Sequence, residues 1–209
     1  MILDPYFYVV AVLSVFFHGM GKAGFGLGLP ILAIPLMSIF IPPLQALAIL
    51  VIPLIFMDLV TIRRFWSLWD LELVKSIIPL TLFGVIIGTI TYSFLSDNSI
   101  RIILGVIACG FGLEYFVNKS KKIVKSSKAA GTFWSTLAGF TSFTIHAGGL
   151  PLSFYLLPMR LDRRKYVATL AIVFLALNLF KMIPYAYFGQ INFQNLLTSI
   201  LLLPLAPIG

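Results

Sequence analysis

Gly19-Met-Gly-Lys-Ala-Gly-Phe-Gly-Leu-Gly-Leu-Pro30 is the stretch of sequence that decides the fold. It contains five glycines, a lysine and a proline, and it separates two apolar segments. Glycine costs about 1 kcal/mol and proline about 3 kcal/mol in a helix interior, so we expect a helix to break here. A shorter break of the same kind occurs at His146-Ala-Gly-Gly-Leu-Pro151. The sequence therefore predicts two interrupted helices.

The composition is typical of an α-helical membrane protein. Of the 209 residues, 60% are hydrophobic and 11% are charged, and the mean hydropathy is +1.03. A soluble domain carries roughly 25% charged residues, so this chain has too few to cover a surface that faces water. Its apolar segments are continuous, whereas a transmembrane β-barrel has alternating strands of about ten residues. The predicted fold class is therefore an all-α polytopic membrane protein.

Basic residues predict the orientation in the membrane. The net charge is +8, and nine of the fifteen Lys and Arg residues lie in Lys119–Lys128 and Arg160–Lys165. The positive-inside rule identifies such clusters as cytoplasmic loops, and this interpretation is favoured over patches that bind nucleic acid. We therefore expect loops 119–128 and 160–165 to face the cytoplasm, and we expect the lipid bilayer, not nucleic acid, to be a partner.

The chain consists of two predicted repeats. An offset of 121 residues places Gly28-Leu-Pro30 on Gly149-Leu-Pro151. The first repeat, 1–117, is predicted to contain a broken-helix hairpin at 5–41 and helices at 44–62, 73–95 and 100–117. After a basic linker at 118–130, the second repeat, 131–209, is predicted to contain a hairpin at 131–159 and helices at 166–188 and 192–209. The counterpart of helix 100–117 is missing, so a final helix is expected after Gly209.

The two repeats are predicted to be inverted relative to each other. Because both basic loops belong in the cytoplasm, 131–159 must begin and end on the same face, as a re-entrant hairpin does. The first repeat then contributes one hairpin and three spanning helices, and the odd number of spans inverts the second repeat. Inverted repeats whose broken helices meet near the midplane are a recurring transporter architecture.

The two breaks form the predicted substrate site. The first N–H groups of a helix lack intrahelical partners and carry partial positive charge, so such ends bind anions. Lys22 adds a formal charge, and Asn178 adds a hydrogen-bonding amide. The alternative is that the glycines only allow close helix packing. The candidate substrate-binding residues are Lys22, Gly24, Gly26, Gly28, Pro30, Gly148, Gly149, Pro151 and Asn178.

Four ionisable residues in apolar surroundings are candidates for proton coupling, namely His18, His146, Asp58 and Lys181. Histidine titrates near neutral pH, and an ionisable residue inside a membrane is a functional hypothesis by default. Each has a structural alternative. The histidines could bond to backbone carbonyls freed at the breaks, Asp58 could lie at the interface near Arg63, and Lys181 could extend its ammonium outward to the membrane surface.

No nucleophile–base motif, phosphate-binding loop or Cys/His metal-ligand spacing occurs in the sequence. We therefore expect no enzymatic activity, no metal site and no cofactor. The lone Cys109 excludes a disulfide within the chain.

The residues around the breaks resemble the TauE/SafE family. The resemblance is carried by Gly26-Leu-Gly-Leu-Pro30, Gly148-Gly-Leu-Pro151 and the glycine-bearing Phe83-Gly-Val-Ile-Ile-Gly88. It covers the whole chain apart from the missing last helix, although many members have a denser glycine run where this chain has Thr141–His146. It implies a protein of the prokaryotic plasma (inner) membrane that exports sulfite or small organosulfur anions and is driven by the proton gradient. The family's site chemistry carries over to the glycines and prolines of the two breaks.

The predicted function is therefore a secondary transporter that exports a small anion held between the tips of the two breaks. The alternatives are a passive anion or solute channel and a membrane assembly subunit that transports nothing. Association into a homo-oligomer is compatible with the sequence.

Overall fold

The protein is helical throughout the part of the chain that its computed structural model describes. No β-strand occurs among these residues, which confirms the all-α class predicted from the composition. The described residues are 2, 4–22, 29–94, 96, 98–102, 105–106, 109–110, 113 and 127–206.

The described helices follow the predicted order. The first half contains α1 (Pro5–Lys22), a 3₁₀ turn (Leu29–Leu32), α2 (Ala33–Met37), α3 (Pro43–Arg64) and α4 (Leu71–Ser93). The second half contains α5 (Lys128–Ile145), α6 (Gly149–Leu156), a 3₁₀ turn (Leu157–Met159), α7 (Arg163–Tyr187), α8 (Phe193–Leu202) and a 3₁₀ turn (Leu203–Leu205). Within the described ranges, α3, α4 and α7 are long and apolar enough to cross a membrane. Most of the helix predicted at 100–117 and of the linker at 118–130 lies outside the described residues.

The two predicted hairpins have unequal arms. In each, an 18-residue helix, α1 or α5, precedes a much shorter one. Helix α1 continues through Gly19 and Gly21 to Lys22, later than the predicted end near residue 18. Each of these glycines weakens a helix by only about 1 kcal/mol, and Gly19 is buried in the fold. The helix before the first predicted break therefore includes both of these glycines.

Polar caps and a proline explain other helix boundaries. The Asp70 carboxylate accepts a hydrogen bond from the Leu73 N–H at 3.1 Å, and α4 begins at Leu71, two residues earlier than predicted. The Asp162 carboxylate caps α7 in the same way, so half of the predicted basic loop 160–165 forms the first turn of that helix. Pro204 has no N–H to continue a helix, and α8 ends before it, well short of the predicted residue 209.

Helix α3 lies at the centre of the molecule. It packs against α7 and α8, and 61% of its most apolar window is buried, compared with 33% for α4 and 39% for α7. Leu47, Ile49 and Leu50 on α3 are fully buried. A polar side chain on the inner face of α3 is therefore held inside the helix bundle, away from lipid.

Two glycines bring the backbones of α4 and α5 into contact. A Cβ atom at Gly84 would lie 2.0 Å from the Thr136 carbonyl oxygen, and one at Gly139 would lie 1.9 Å from the Thr81 carbonyl oxygen. Small residues at helix crossings are a common way to bind membrane helices together through van der Waals contact. This crossing joins the first half of the chain to the longer arm of the second hairpin.

Two polar contacts join the halves near opposite ends of α3. The Lys165 ammonium lies 2.7 Å from the Asp70 carboxylate, just beyond the C-terminal end of α3, and the Gln45 amide donates to the Asn195 side-chain oxygen at 2.8 Å, near its N-terminal end. The 22 residues of α3 span about 33 Å. One contact pairs the starts of α4 and α7, and the other pairs the starts of α8 and α3.

Asp70→Ala is expected to lower the stability by about 1 kcal/mol, because it removes a helix cap. The Lys165 hydrogen bond and the capping N–H groups hold the pKa of the Asp70 carboxyl below its usual range. Its contribution is therefore present at neutral pH and is lost as the pH falls through that lowered pKa. Thermal unfolding in detergent across pH measures this effect. Lys165→Ala, which removes only the partly exposed ion pair, is the matched control and should cost less than about 1 kcal/mol. Unchanged unfolding of Asp70→Ala at neutral pH would contradict the prediction.

Candidate functional site

A cavity of about 70 Å³ lies between α1, α3, α7 and the segment that joins α5 to α6. A buried water needs roughly 10–15 Å³, so the space suits a small ion better than a large organic molecule. It adjoins both breaks, because Pro30 lines one side and Gly149 lines another. Six of the predicted polar and ionisable residues line it, namely His18, Lys22, Asp58, His146, Asn178 and Lys181.

A buried ion pair joins α1 to α3. The Lys22 ammonium contacts one oxygen of the Asp58 carboxylate, and the Asn178 amide on α7 donates to the other oxygen at 2.8 Å. Asp58 is 1% exposed, so its carboxylate is buried among the helices and does not lie at the protein surface. The Lys22 ammonium also lies 5.6 Å from the centroid of the Phe174 ring, within range of a cation–π contact. Three helices are thus tied together by one carboxylate.

The second lysine, Lys181, has no carboxylate partner among the described residues. The Lys181 ammonium lies 3.1 Å from both the carbonyl and the hydroxyl oxygen of Ser142 and 2.9 Å from His146 Nδ1. These three acceptors match the three N–H groups of a charged ammonium. The lysine side chain is fully buried, so it does not extend outward to the membrane surface. No ion pair to it occurs within the described ranges.

His146 ends α5 and connects Lys181 to α3. Its backbone has φ of 54°, in the left-handed region that commonly terminates a helix. Its Nε2 lies 2.9 Å from the Leu47 carbonyl oxygen. Because a carbonyl only accepts, Nε2 carries the hydrogen, and Nδ1 is left as an acceptor for the Lys181 ammonium. The His146 ring thus bonds to a carbonyl inside α3, not to one freed at a break, and the same ring also holds the buried lysine.

His18 has one ring nitrogen without a partner. Its Nδ1 lies 2.9 Å from the Ser14 carbonyl of its own helix and therefore carries the hydrogen. Its Nε2 is buried and makes no hydrogen bond to any residue that the structure describes. The ring centroid lies 6.1 Å from that of His146, edge to face. The two histidines are thus neighbours across the cavity, although they are not at equivalent positions of the predicted repeat.

The glycines of the second break have different roles. A Cβ atom at Gly148 would lie 2.7 Å from the Ala138 carbonyl oxygen, so Gly148 is required for close packing. A Cβ atom at Gly149 would meet nothing closer than the Phe174 ring at 3.9 Å, and Gly149 lines the cavity. Pro151 is buried in α6 and does not line the cavity. The candidates Gly24, Gly26 and Gly28 lie outside the described residues.

Two of the lining residues that were not among the sequence candidates lie against residues that were. Ser142 accepts a hydrogen bond from Lys181, and Phe174 faces both Lys22 and Gly149. A serine or a phenylalanine in an apolar helix is ordinarily a packing residue, so neither position stands out in the sequence. The useful signal is the helical spacing of Phe174, Asn178 and Lys181, which places all three on one face of α7.

The charges of the cavity favour an anion. Asp58 neutralises Lys22, so a protonated Lys181 leaves the cavity with one positive charge when both histidines are neutral. An isolated charge inside a membrane protein is costly, and a counter-ion would offset that cost. Across the described ranges, no cluster of three or more His, Cys, Asp or Glu residues could hold a metal ion.

Comparison with known proteins identifies one family. The family model described as sulfite exporter TauE/SafE matches residues 11–209. No curated protein and no solved structure matches the chain significantly.

Proposed function

The chain belongs to the sulfite exporter TauE/SafE family, and from this membership and the charges of its cavity we propose that it moves a small anion through the site between its two breaks. It is a multi-pass membrane protein of an exporter family, not of an enzyme family. The proposed substrates are sulfite, sulfonates and related small organic acids. The proposed location is the prokaryotic inner membrane, with 119–128 and 160–165 in the cytoplasm.

The buried Lys181 ammonium is the observation that carries this proposal. It is fully buried, it is held in place by Ser142 and His146, and it has no ion-pair partner in the described part of the chain. A lysine that only stabilised the fold would ordinarily be paired with a carboxylate or would extend to the membrane surface. This ammonium instead borders a cavity large enough for a small anion.

Proton coupling is the second part of the proposal. His18 and His146 are neighbours at the cavity, and neither ring needs to be charged for its observed hydrogen bonds. Binding a proton on His18 Nε2 would therefore break no contact within the described residues. Movement of one half of the molecule against the other would then carry anion and proton together, as in other inverted-repeat transporters.

The proposed function is tested by transport in proteoliposomes. Purified protein is reconstituted, and flux of sulfite, methanesulfonate and acetate is measured with and without a pH gradient. We expect saturable flux that is accelerated by substrate on the opposite side and increased by the gradient. Flux that does not saturate would identify a passive channel, and no flux of any small anion through folded protein would overturn the proposal.

Gly149→Ala is expected to leave the fold intact and to impair the site. The added methyl group fits without a clash, so stability should change by less than about 0.5 kcal/mol. It would narrow the cavity, and displacing the anion from its charged hydrogen bonds should weaken binding by about tenfold. Thermal unfolding and anion affinity are measured on the same preparation. Unchanged affinity would show that the anion does not approach α6.

A further inference from the structure

Two hydrogen-bonding groups of the cavity have no partner among the described residues, and one of them is a donor and the other an acceptor. The Ser142 hydroxyl oxygen accepts from Lys181, so its own O–H is free to donate, and the described residues offer it no acceptor. His18 Nε2 is an acceptor to which no described residue donates a hydrogen bond. Both residues line the cavity and are buried, with His18 3% exposed and Ser142 3% exposed. A ligand that satisfies both must accept at one end and donate at the other.

From this pair we infer that the site selects an anion that carries one negative charge and one acidic hydrogen. The charge lies against the Lys181 ammonium and the Ser142 O–H, and the acidic hydrogen is donated to His18 Nε2. Hydrogen sulfite has this chemistry. Sulfate is a dianion without such a hydrogen, and methanesulfonate has the correct charge but nothing to donate. The inference rests on the proposed function and adds the protonation state of its substrate.

The surrounding charges support a monoanion. The ionisable groups around His18 are Lys22 on its own helix, Asp58 on α3, His146 after α5 and Lys181 on α7. Lys22 and Asp58 cancel, His146 is held neutral by its two hydrogen bonds, and Lys181 alone remains. One ammonium balances one negative charge. A dianion would leave a negative charge uncompensated in a buried site.

The orientation of the His18 ring determines which end of the anion it contacts. Because Nδ1 bonds to the Ser14 carbonyl of the same helix, Nε2 is the end of the ring away from α1. The His146 ring lies 6.1 Å away and carries Lys181 on its Nδ1. An anion between these groups therefore has the ammonium at one end and the His18 acceptor at the other. While its Nε2 carries no proton, His18 thus recognises the hydrogen of the substrate.

The test compares binding of three probes to the purified full chain at mildly acidic pH, where hydrogen sulfite is the main form of sulfite. Titration calorimetry with hydrogen sulfite, methanesulfonate and sulfate needs no transport activity. We expect hydrogen sulfite to bind about tenfold more tightly than methanesulfonate, because only it forms the hydrogen bond to His18. We expect sulfate to bind most weakly.

Three variants separate recognition from structure. His18→Leu should bring the ratio of the two monoanion affinities to about one, whereas His18→Gln keeps an acceptor near the position of Nε2 and should preserve most of the ratio. Ser142→Ala should weaken both monoanions alike. Ser135→Ala removes a buried hydroxyl that likewise makes no hydrogen bond within the described ranges but lies outside the cavity, and it should change nothing.

The outcomes distinguish this inference from the proposed function. Equal affinity of the wild-type protein for hydrogen sulfite and methanesulfonate overturns the inference alone, whatever the variants do. A ratio that survives in His18→Leu also overturns it. Binding of no anion at all, in protein that unfolds cooperatively, overturns both the inference and the proposed function.

Discussion

Asp58→Asn is expected to destabilise the protein by about 3–5 kcal/mol, the usual result of removing one partner from a buried ion pair. The change keeps the size of the side chain and its ability to accept from Asn178. It leaves the Lys22 ammonium without a counter-charge, at a side-chain exposure of only 18%. Since this carboxylate joins α1, α3 and α7, transport should fall to background. Equilibrium unfolding in detergent and flux in proteoliposomes measure the two effects.

The control for this prediction is the double variant Lys22→Gln/Asp58→Asn. Lys22→Gln alone leaves the Asp58 carboxylate buried with Asn178 as its remaining side-chain donor, so it should also be strongly destabilising. The double variant has no charge at either of these two positions and should be more stable than either single variant. A double-mutant cycle measures this coupling directly. Additive losses would show that the two side chains do not form a pair in the folded protein.

Gly139→Ala is expected to cost about 3 kcal/mol, because its methyl group would lie 1.9 Å from the Thr81 carbonyl oxygen. The obstacle is backbone on α4 and cannot move aside as a flexible side chain would. A loss of this size should lower the Tm by about 6–12 °C in a chain of this length. Gly84→Ala should act in the same way, since it meets the same crossing from the other helix.

Gly149→Ala is the matched control for this second prediction. Both variants add one methyl group to a glycine, but only at Gly149 is there space for it. Detergent-solubilised protein is compared by size-exclusion profile and thermal unfolding. A Tm for Gly139→Ala close to that of the wild type would mean that α4 and α5 do not cross at these glycines.

Much of the fold follows from local sequence features. Apolar length identifies α3, α4 and α7, and the second glycine–proline run locates the break between α5 and α6. The unequal hairpin arms could not be predicted in the same way. Helix α1 continues past Gly19 and Gly21 because of tertiary packing. The helix propensities of single residues do not include the effect of such packing. The early start of α4 depends on one cap, Asp70, and such boundaries shift by a residue or two with each capping choice.

The candidate site was predictable by residue but not by pairing. His18, His146, Asp58 and Lys181 stand out because ionisable groups are rare in apolar segments, and all four line one cavity. Lys22 and Asp58, however, are 36 residues apart and on different helices. No spacing rule relates them, and their pairing arises only when α1 packs against α3. Gly148 and Gly149 likewise look alike in the sequence. Their neighbours in the fold show that Gly148 is a packing residue and that Gly149 lines the cavity.

The contacts at the two ends of α3 differ in chemistry, and this difference determines which solution conditions weaken each contact. Asp70 and Lys165 attract as ions, so added salt screens them, whereas Gln45 and Asn195 form a neutral amide bond that ionic strength hardly affects. Any motion that parts the halves at one end must break the contact there. The contacts at the two ends of α3 are therefore of unequal kind, and only the contact between Asp70 and Lys165 responds to salt and to acid.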